Sequence, residues 1–319
     1  MVGLSRRGFA AAIAALPFAA TAPGALHARS TGLLPRLPVT ARYRIGRFEV
    51  TVISDGYIDF PFDLFTGVTP DQARAATAAV HAAGVNGVRG SFSTWLVNDG
   101  ERLVLVDSGP AGTVSPTSGW LPGTLDRLGI AADDIDAVIL THGHIDHIAG
   151  MVAGGRNTYP NAEVYIDRRD VVAFTDPSVE ARAPEIVRSS FDAMRALVEL
   201  YPRLQRIDGP REILRGLSVF DLSGHTPGQI GVRIEDGSES LSLVSDMLFH
   251  PAAHPALPGF GIVFEMDKAA ADAARARFFP KAAEDGGLLA ATHMPFPGVG
   301  RIVKEGASLA WLPADWSYV

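Results

Sequence analysis

Short apolar runs typical of buried strands recur along the chain, and several of them end at an acidic or imidazole side chain. The run at residues 102–106 leads to Asp107, and the run at residues 137–140 leads to a histidine-rich segment. Asp246 follows an apolar run at residues 241–244, and His293 follows another at residues 288–291. Because α/β folds place their chemistry in loops at strand ends, these side chains are predicted to carry the chemistry of the protein.

Helices are predicted between these strands. Thr69 offers an N-cap and Pro70 a first helical residue, which predicts a helix over residues 70–83 that Gly84 ends. Further helices are predicted at residues 120–128, from residue 168 and at residues 183–200. Other strands are predicted at residues 48–54, 91–98, 164–166, 217–222 and 230–234, with hairpin turns at Asn98-Asp99-Gly100 and Asp236-Gly237. The pattern predicts an α/β fold in which two sheets are sandwiched between helices.

The first residues follow a different pattern. Arg6 and Arg7 precede Phe9, an apolar stretch and small residues through Ala28. This order is typical of an export signal and is too short for a comfortable membrane span. The paired arginines favour the twin-arginine route and a periplasmic location, with a disordered cytoplasmic leader as the alternative. We therefore expect a signal at residues 1–28, an irregular N-terminal arm at residues 29–45 and one main folded domain at residues 46–319.

Composition and net charge limit the partners and the metal ligands that this chain can use. The formal net charge of −7 and the lack of a basic stripe argue against a nucleic-acid partner. The chain contains no cysteine, so a thiolate can be neither a metal ligand nor a nucleophile. Export of an already folded protein would explain why a periplasmic chain has no disulfide. Histidine and carboxylate remain as the ligands to consider.

The segment from Thr141 to His147 holds three imidazoles and one carboxylate directly after a predicted strand. Imidazole is the commonest metal ligand, and carboxylate is its usual partner for divalent ions. The segment therefore predicts a metal-dependent hydrolase. Zinc is the expected ion, although manganese, cobalt or iron would fit the same ligands.

These motifs resemble the metallo-β-lactamase superfamily. The resemblance rests on the segment His142-Gly143-His144-Ile145-Asp146-His147, on His225 in a Ser-Gly-His-Thr-Pro-Gly loop, and on Asp246 and His293 after later strands. It implies an αββα sandwich of two mixed β-sheets flanked by helices. It also implies two metal ions, one held by His142, His144 and His225, and the other by Asp146, His147 and His293. It also implies that Asp246 bridges both ions and that Asp107 orients a ligand from behind. Thr226 could bond a group of the metal site, or only its own turn.

Within the superfamily, the chain is most similar to the methyl parathion hydrolase and quorum-quenching lactonase group. The leader, Ser54-Asp55-Gly56 and the tail from His293 to Gly300 support this. Other members of the superfamily differ from this chain. Zinc β-lactamases lack the bridging aspartate, and flavin-linked di-iron reductases typically carry Glu where this chain has His144. Glyoxalase II adds a C-terminal helical region. The lactonases place a tyrosine three residues after the bridging aspartate, where this chain has Phe249.

The expected function is a dinuclear metal-dependent hydrolase that opens lactones or cleaves small apolar esters through a metal-bridging hydroxide. Asp246 would hold that nucleophile and Asp146 would relay a proton. The alternatives are a phosphotriesterase of the methyl parathion type, and a non-catalytic metal-binding or redox member of the superfamily. By analogy with the group, we expect a homodimer.

A pocket for an acyl or aryl group requires apolar walls. The aromatic candidates for these walls, each of which could instead be packed in the core, are Phe62, Phe65, Trp120, Phe174, Phe191, Phe249, Phe260 and Phe264.

Overall fold

The computed structural model describes residues 36–315. The predicted export signal at residues 1–28 and the first part of the predicted arm, residues 29–35, lie outside the described residues. The chain divides into two units, residues 1–37 and residues 38–319, and every helix and strand given below belongs to the second. Among the described residues, no helix combines the length and apolar character needed to cross a membrane.

Sixteen strands and seven α-helices are found among residues 38–315 of this unit. The strands are β1 (Thr40–Ile45), β2 (Phe48–Phe60), β3 (Phe65–Thr66), β4 (Val88–Asn98), β5 (Leu103–Val106), β6 (Ala137–Ile139), β7 (Glu163–Asp167), β8 (Gln205–Ile207), β9 (Arg211–Leu214), β10 (Leu217–Asp221), β11 (Ile230–Asp236), β12 (Glu239–Leu243), β13 (Gly261–Ile262), β14 (Leu288–Ala290), β15 (Val299–Glu305) and β16 (Ser308–Pro313). The helices are α1 (Pro70–Ala79), α2 (Leu121–Arg127), α3 (Ile145–Ile148), α4 (Arg168–Thr175), α5 (Pro177–Glu180), α6 (Arg188–Leu200) and α7 (Lys268–Asp285).

Two seven-stranded sheets make up the centre of the fold. The first has the order β1-β2-β4-β5-β6-β7-β8, and the second has the order β16-β15-β14-β12-β11-β10-β9. In the first sheet β1, β2, β4 and β5 pair antiparallel, whereas β5, β6, β7 and β8 run parallel. The second sheet is antiparallel except for the parallel pair β12 and β14. Both sheets are therefore mixed.

Side chains alternate between the two faces of each sheet, and this alternation builds the layers. Val104 and Val106 of β5 pack into a core that lies between the sheets and includes Val232 and Leu243. Leu105, between them in sequence, joins a core on the opposite face with the helices α2, α4 and α6. Residues of α7 pack on the outer face of the second sheet. The predicted αββα sandwich is confirmed.

Several boundaries differ from the predicted ones. Residues 40–45, expected to be irregular, form the edge strand β1, because Ala41, Tyr43 and Ile45 alternate with outward-facing side chains and are buried. Helix α1 begins with the expected cap, in which Thr69 and Gln72 bond each other's backbone, but it ends at Ala79. Helix α6 begins at Arg188 after a 3₁₀ turn at Glu185–Val187 that follows Pro184.

Candidate metal centre

The side chains predicted to bind metal meet at one end of the two sheets. His142, His144, Asp146 and His147 lie between β6 and the end of the short helix α3. His225 lies in the loop between β10 and β11, Asp246 in a 3₁₀ turn after β12, and His293 after β14. The first sheet thus supplies four of these groups and the second sheet supplies three.

Three imidazoles form one compact group. The Nδ1 atom of His144 lies 3.0 Å from Nε2 of His142 and 2.9 Å from Nε2 of His225. All three rings are buried. Burial lowers the pKa of His142 and of His225 well below the usual value and lowers the pKa of His144 to about 4. Three neutral imidazoles therefore converge on one point, which is the arrangement that a cation requires.

Asp146, His147 and His293 form a second group beside the first. The Oδ2 atom of Asp146 lies 3.5 Å from Nε2 of His147 and 3.4 Å from Nε2 of His293. Asp246 contacts both groups, because one of its oxygens lies 3.3 Å from Nε2 of His147 and the other lies 3.3 Å from Nε2 of His225. Asp246 is therefore placed to be shared between two ions.

The electrostatics of the second group also fit a cation. Burial alone would lower the pKa of His147, but Asp146, Asp246 and Asp107 together raise that pKa well above its usual value. Three carboxylates thus surround a single imidazole. The Nε2 atom of His147 is buried and accepts or donates no hydrogen bond among the described residues. Such an orphaned nitrogen beside excess negative charge fits a divalent cation.

The seven side chains form three overlapping clusters whose ligand atoms lie within 4.8 Å of one another: His142 with His144 and His225, His142 with His147 and Asp246, and Asp146 with His147 and His293. The residues present therefore fit two divalent cations.

Asp107 holds His147 in place. Its Oδ2 accepts a hydrogen bond of 2.8 Å from Nδ1 of His147, and its two oxygens accept further bonds from the backbone and hydroxyl of Thr141. The bond to Nδ1 leaves the lone pair of Nε2 directed into the site. His293 is oriented in the same way, because its Nδ1 donates to the carbonyl oxygen of Ser91 at 2.9 Å.

Thr226 does not bond a metal-binding side chain. Its hydroxyl donates to Asp170 at 2.8 Å, and Asp170 also accepts from the backbone of Gly143 and of Gly228. Burial raises the pKa of Asp170 to about 6, against the effect of these hydrogen bonds. No motif in the sequence singles out Asp170, since it is one aspartate in the first turn of a helix.

A cavity of about 310 Å³ opens directly onto the two groups. His144, Asp146, Asp246 and His293 form its polar floor. Phe249 and Phe264 line it as predicted, and the ring of Phe249 lies 4.5 Å from that of His293. Other apolar lining residues were not among the sequence candidates: Ile58, Phe60, Leu64, Phe92, Val114, Ile145, Ile186 and Val187.

The remaining aromatic candidates do not line this cavity. Phe62, Phe65 and Phe260 pack in a core cluster behind Phe249, where the rings of Phe65 and Phe260 are 4.9 Å apart. Phe174 and Phe191 are fully buried between α4, α6 and the first sheet. Trp120 packs edge-on against Tyr57 and borders a different depression. These six aromatic side chains therefore pack within the fold and do not form walls of the cavity.

Comparison with known proteins identifies the class. The family model of the metallo-beta-lactamase superfamily matches residues 87–293, and the chain belongs to that superfamily. The resemblance of its motifs is thereby confirmed.

Solved structures share the fold over nearly the whole chain. The hydrolase AbOPH of the β-lactamase superfamily is 25% identical, with a TM-score of 0.81 over 89% of this chain and 100% of that chain. AidC, a dizinc quorum-quenching lactonase solved with the product N-hexanoyl-L-homoserine, is 23% identical, with a TM-score of 0.76 over 88% of this chain and 99% of that chain.

A local match also exists to hydroxyacylglutathione hydrolase of Aeromonas salmonicida (strain A449), which is 34% identical over 76 residues. These residues are 24% of this chain and 26% of that enzyme, so the match spans about a quarter of its length.

Proposed function

We propose that this chain is a dinuclear metal-dependent hydrolase that opens lactones or cleaves small apolar esters. The observation that carries the proposal is the position of the apolar cavity, whose floor consists of four of the seven metal-binding candidates. A substrate in this cavity would meet the site with its reactive bond. The fold shared with the lactonase AidC supports the same reaction class.

His142, His144 and His225 would hold one cation, Asp146, His147 and His293 the other, and Asp246 would contact both. Two such cations lower the pKa of water to near neutrality and polarise the bond under attack.

Asp146 is best placed to move the proton. Its side chain is 17% exposed, against 0–4% for His147, Asp246 and His293, and it lines the cavity. In hydrolysis, water adds to the ester carbonyl and the bond to the leaving oxygen breaks. Asp146 would take the proton of the water and return it to that oxygen, so that acid and alcohol are released.

The walls of the cavity favour a neutral substrate. Among the described residues that line it there is no lysine or arginine, whereas two carboxylates lie at its floor. An anionic substrate would therefore find no cationic partner other than the bound ions. This argues against glutathione thioesters, whose carboxylates need basic side chains, and it favours lactones, aryl esters and phosphotriesters.

A side-by-side assay tests the proposal and separates its two leading substrates. The hydrolysis rates of N-hexanoyl-homoserine lactone and of methyl parathion would be measured with the zinc-loaded protein, with Asp246→Asn as the blank. We expect lactone opening to exceed the blank by about 100-fold or more, since loss of an outer-shell partner alone reduces activity by 10- to 100-fold.

Faster cleavage of methyl parathion would make phosphotriester hydrolysis the main activity. A zinc-loaded protein that exceeds the Asp246→Asn blank on neither substrate would contradict the proposal.

A further inference from the structure

One buried carboxylate lies between the two loops that carry the three-imidazole group. Asp170 is in the first turn of α4 and is fully buried. Its Oδ2 accepts hydrogen bonds from the backbone N–H of Gly143 at 2.7 Å and from the hydroxyl of Thr226 at 2.8 Å. Its Oδ1 accepts a third bond from the backbone N–H of Gly228 at 2.6 Å. Both oxygens of the carboxylate are thus occupied by donors from elsewhere in the fold.

The three donors belong to the segments that hold metal-binding candidates. Gly143 stands between His142 and His144, and Thr226 directly follows His225. Residues 142 and 225 are far apart in sequence and follow strands of different sheets. A single side chain therefore joins the segments whose imidazole nitrogens lie 2.9 Å apart.

Both segments pack on their surroundings without spare room. A methyl group on Gly228 would lie 2.7 Å from the backbone nitrogen of Asp170, and one on Gly143 would lie 2.5 Å from the ring of Phe174. The absence of side chains at these glycines lets the two loops approach α4 closely enough for the short hydrogen bonds to form.

Asparagine cannot reproduce this arrangement. Its amide has one acceptor oxygen, and its NH₂ group would face either the N–H of Gly228 or the donors of Gly143 and Thr226. A donor would then oppose a donor in a site without water access, which would push one loop away. Because ligands must be held to about 0.5 Å for productive geometry, such a displacement would weaken cation binding.

We propose that Asp170 is a positioning residue that fixes the loop of His142 and His144 against the loop of His225, and thereby sets the cation affinity of the three-imidazole group. The inference rests on the metal-binding function proposed above. Asp170 itself neither lines the cavity nor belongs to the three clusters of metal-binding candidates.

The test is a titration of the metal-free protein with Co²⁺ against a competing chelator, followed by the visible absorption of the bound ion. We expect Asp170→Asn to weaken the affinity of one of the two ions by about 10- to 100-fold and to change its absorption spectrum, as loss of other outer-shell partners does. The affinity for the ion held by Asp146, His147 and His293 should change much less.

A second variant is measured if Asp170→Asn does not fold. Thr226→Val removes one hydrogen-bond donor and keeps the carboxylate, so it should show a smaller change in the same direction.

Asp167→Asn is the matched control. Asp167 is a buried carboxylate three residues earlier that caps α4 and pairs with Arg169. We expect Asp167→Asn to lower the melting temperature without changing the affinity for either cobalt ion or their absorption spectrum. Equal effects of Asp167→Asn and Asp170→Asn, or unchanged affinities in Asp170→Asn, would overturn the positioning role. A wild-type protein that binds no Co²⁺ would overturn the metal site itself and this role with it.

Discussion

Phe249 is the residue at which this site departs most clearly from the lactonases that its motifs resemble. Its ring is 4% exposed, lines the cavity, and lies 4.5 Å from the ring of His293 and 5.1 Å from that of Phe60. A tyrosine hydroxyl at this position can bond a substrate carbonyl, which a phenylalanine ring cannot do. Lactones should therefore lose a contact here that phosphotriesters do not need.

We predict that Phe249→Tyr raises kcat/KM for N-hexanoyl-homoserine lactone by about 10- to 150-fold, since a hydrogen bond to a group that becomes charged contributes about 1.5–3 kcal/mol. The effect on methyl parathion should be smaller. Steady-state kinetics on both substrates measure the difference, and Phe264→Tyr, at another position in the wall of the cavity, is the control. Equal changes for the two substrates would show that position 249 does not meet the carbonyl.

Individual residues also show what the sequence can and cannot predict. Residues 142–147 indicate a metal site because four ligand-type side chains in six positions have little other explanation. Aromatic residues carry no such signal, since Phe65 in the core and Phe249 in the cavity wall occupy similar apolar surroundings in the sequence. The role of Asp170 depends wholly on which loops the fold brings to its carboxylate, so only the structure identifies that role.

At the scale of elements, α7 supports the site from outside the second sheet. Arg275 and Glu265 form an ion pair in which each side chain is 1% exposed. Arg275 also donates to the carbonyl oxygen of Met247 at 3.4 Å, next to Asp246. The backbone N–H of Met266, next to Glu265, donates to the carbonyl oxygen of His225 at 2.9 Å. The pair thus connects the helix to two loops of the site.

We predict that Arg275→Met lowers the free energy of unfolding by about 3–5 kcal/mol, because it leaves Glu265 buried without a cationic partner. Urea denaturation at neutral pH measures the change. The double variant Arg275→Met/Glu265→Leu should recover most of the loss, because it removes both buried charges.

The control for this prediction is Arg277→Met on the same helix. Arg277 is exposed, so its replacement should change the stability by about 0.5 kcal/mol or less. A loss in Arg277→Met as large as that in Arg275→Met would mean that helix charge, and not the buried pair, is responsible.

Element boundaries follow from tertiary context as well as from local pattern. Helix α1 has the cap that Thr69 and Gln72 predict, because capping depends on neighbouring residues alone. Helix α7 is alanine-rich and only weakly amphipathic, so its sequence gives little indication of the face that packs on the sheet. Strand β1 follows Pro35 and Pro38 and carries Arg42 and Arg44, and it becomes a strand by pairing with β2 along its whole length.

At the scale of the whole molecule, the candidate metal site joins the two sheets. His142, His144, Asp146 and His147 follow β6 of the first sheet, whereas His225, Asp246 and His293 follow strands of the second. Cations bound to both sets would cross-link the halves of the sandwich. Without them, a proton on His147, whose pKa Asp107 and Asp246 help to raise, is left to offset the charge of these buried carboxylates.

We therefore predict that metal removal lowers the melting temperature of the wild-type protein. A ligand that binds only the folded state stabilises it by about 2.7 kcal/mol at 100 times its Kd, two ions can each contribute this much, and each kcal/mol shifts the melting temperature of a protein of this size by about 2 °C. We expect a difference of about 5–10 °C between protein with excess Zn²⁺ and protein treated with a chelator, measured by differential scanning calorimetry. The same comparison on Asp246→Asn should give a smaller difference, because the side chain that contacts both groups of ligands has lost its charge. Equal melting temperatures for the zinc-loaded and chelator-treated wild-type protein would mean that no cation links the two sheets.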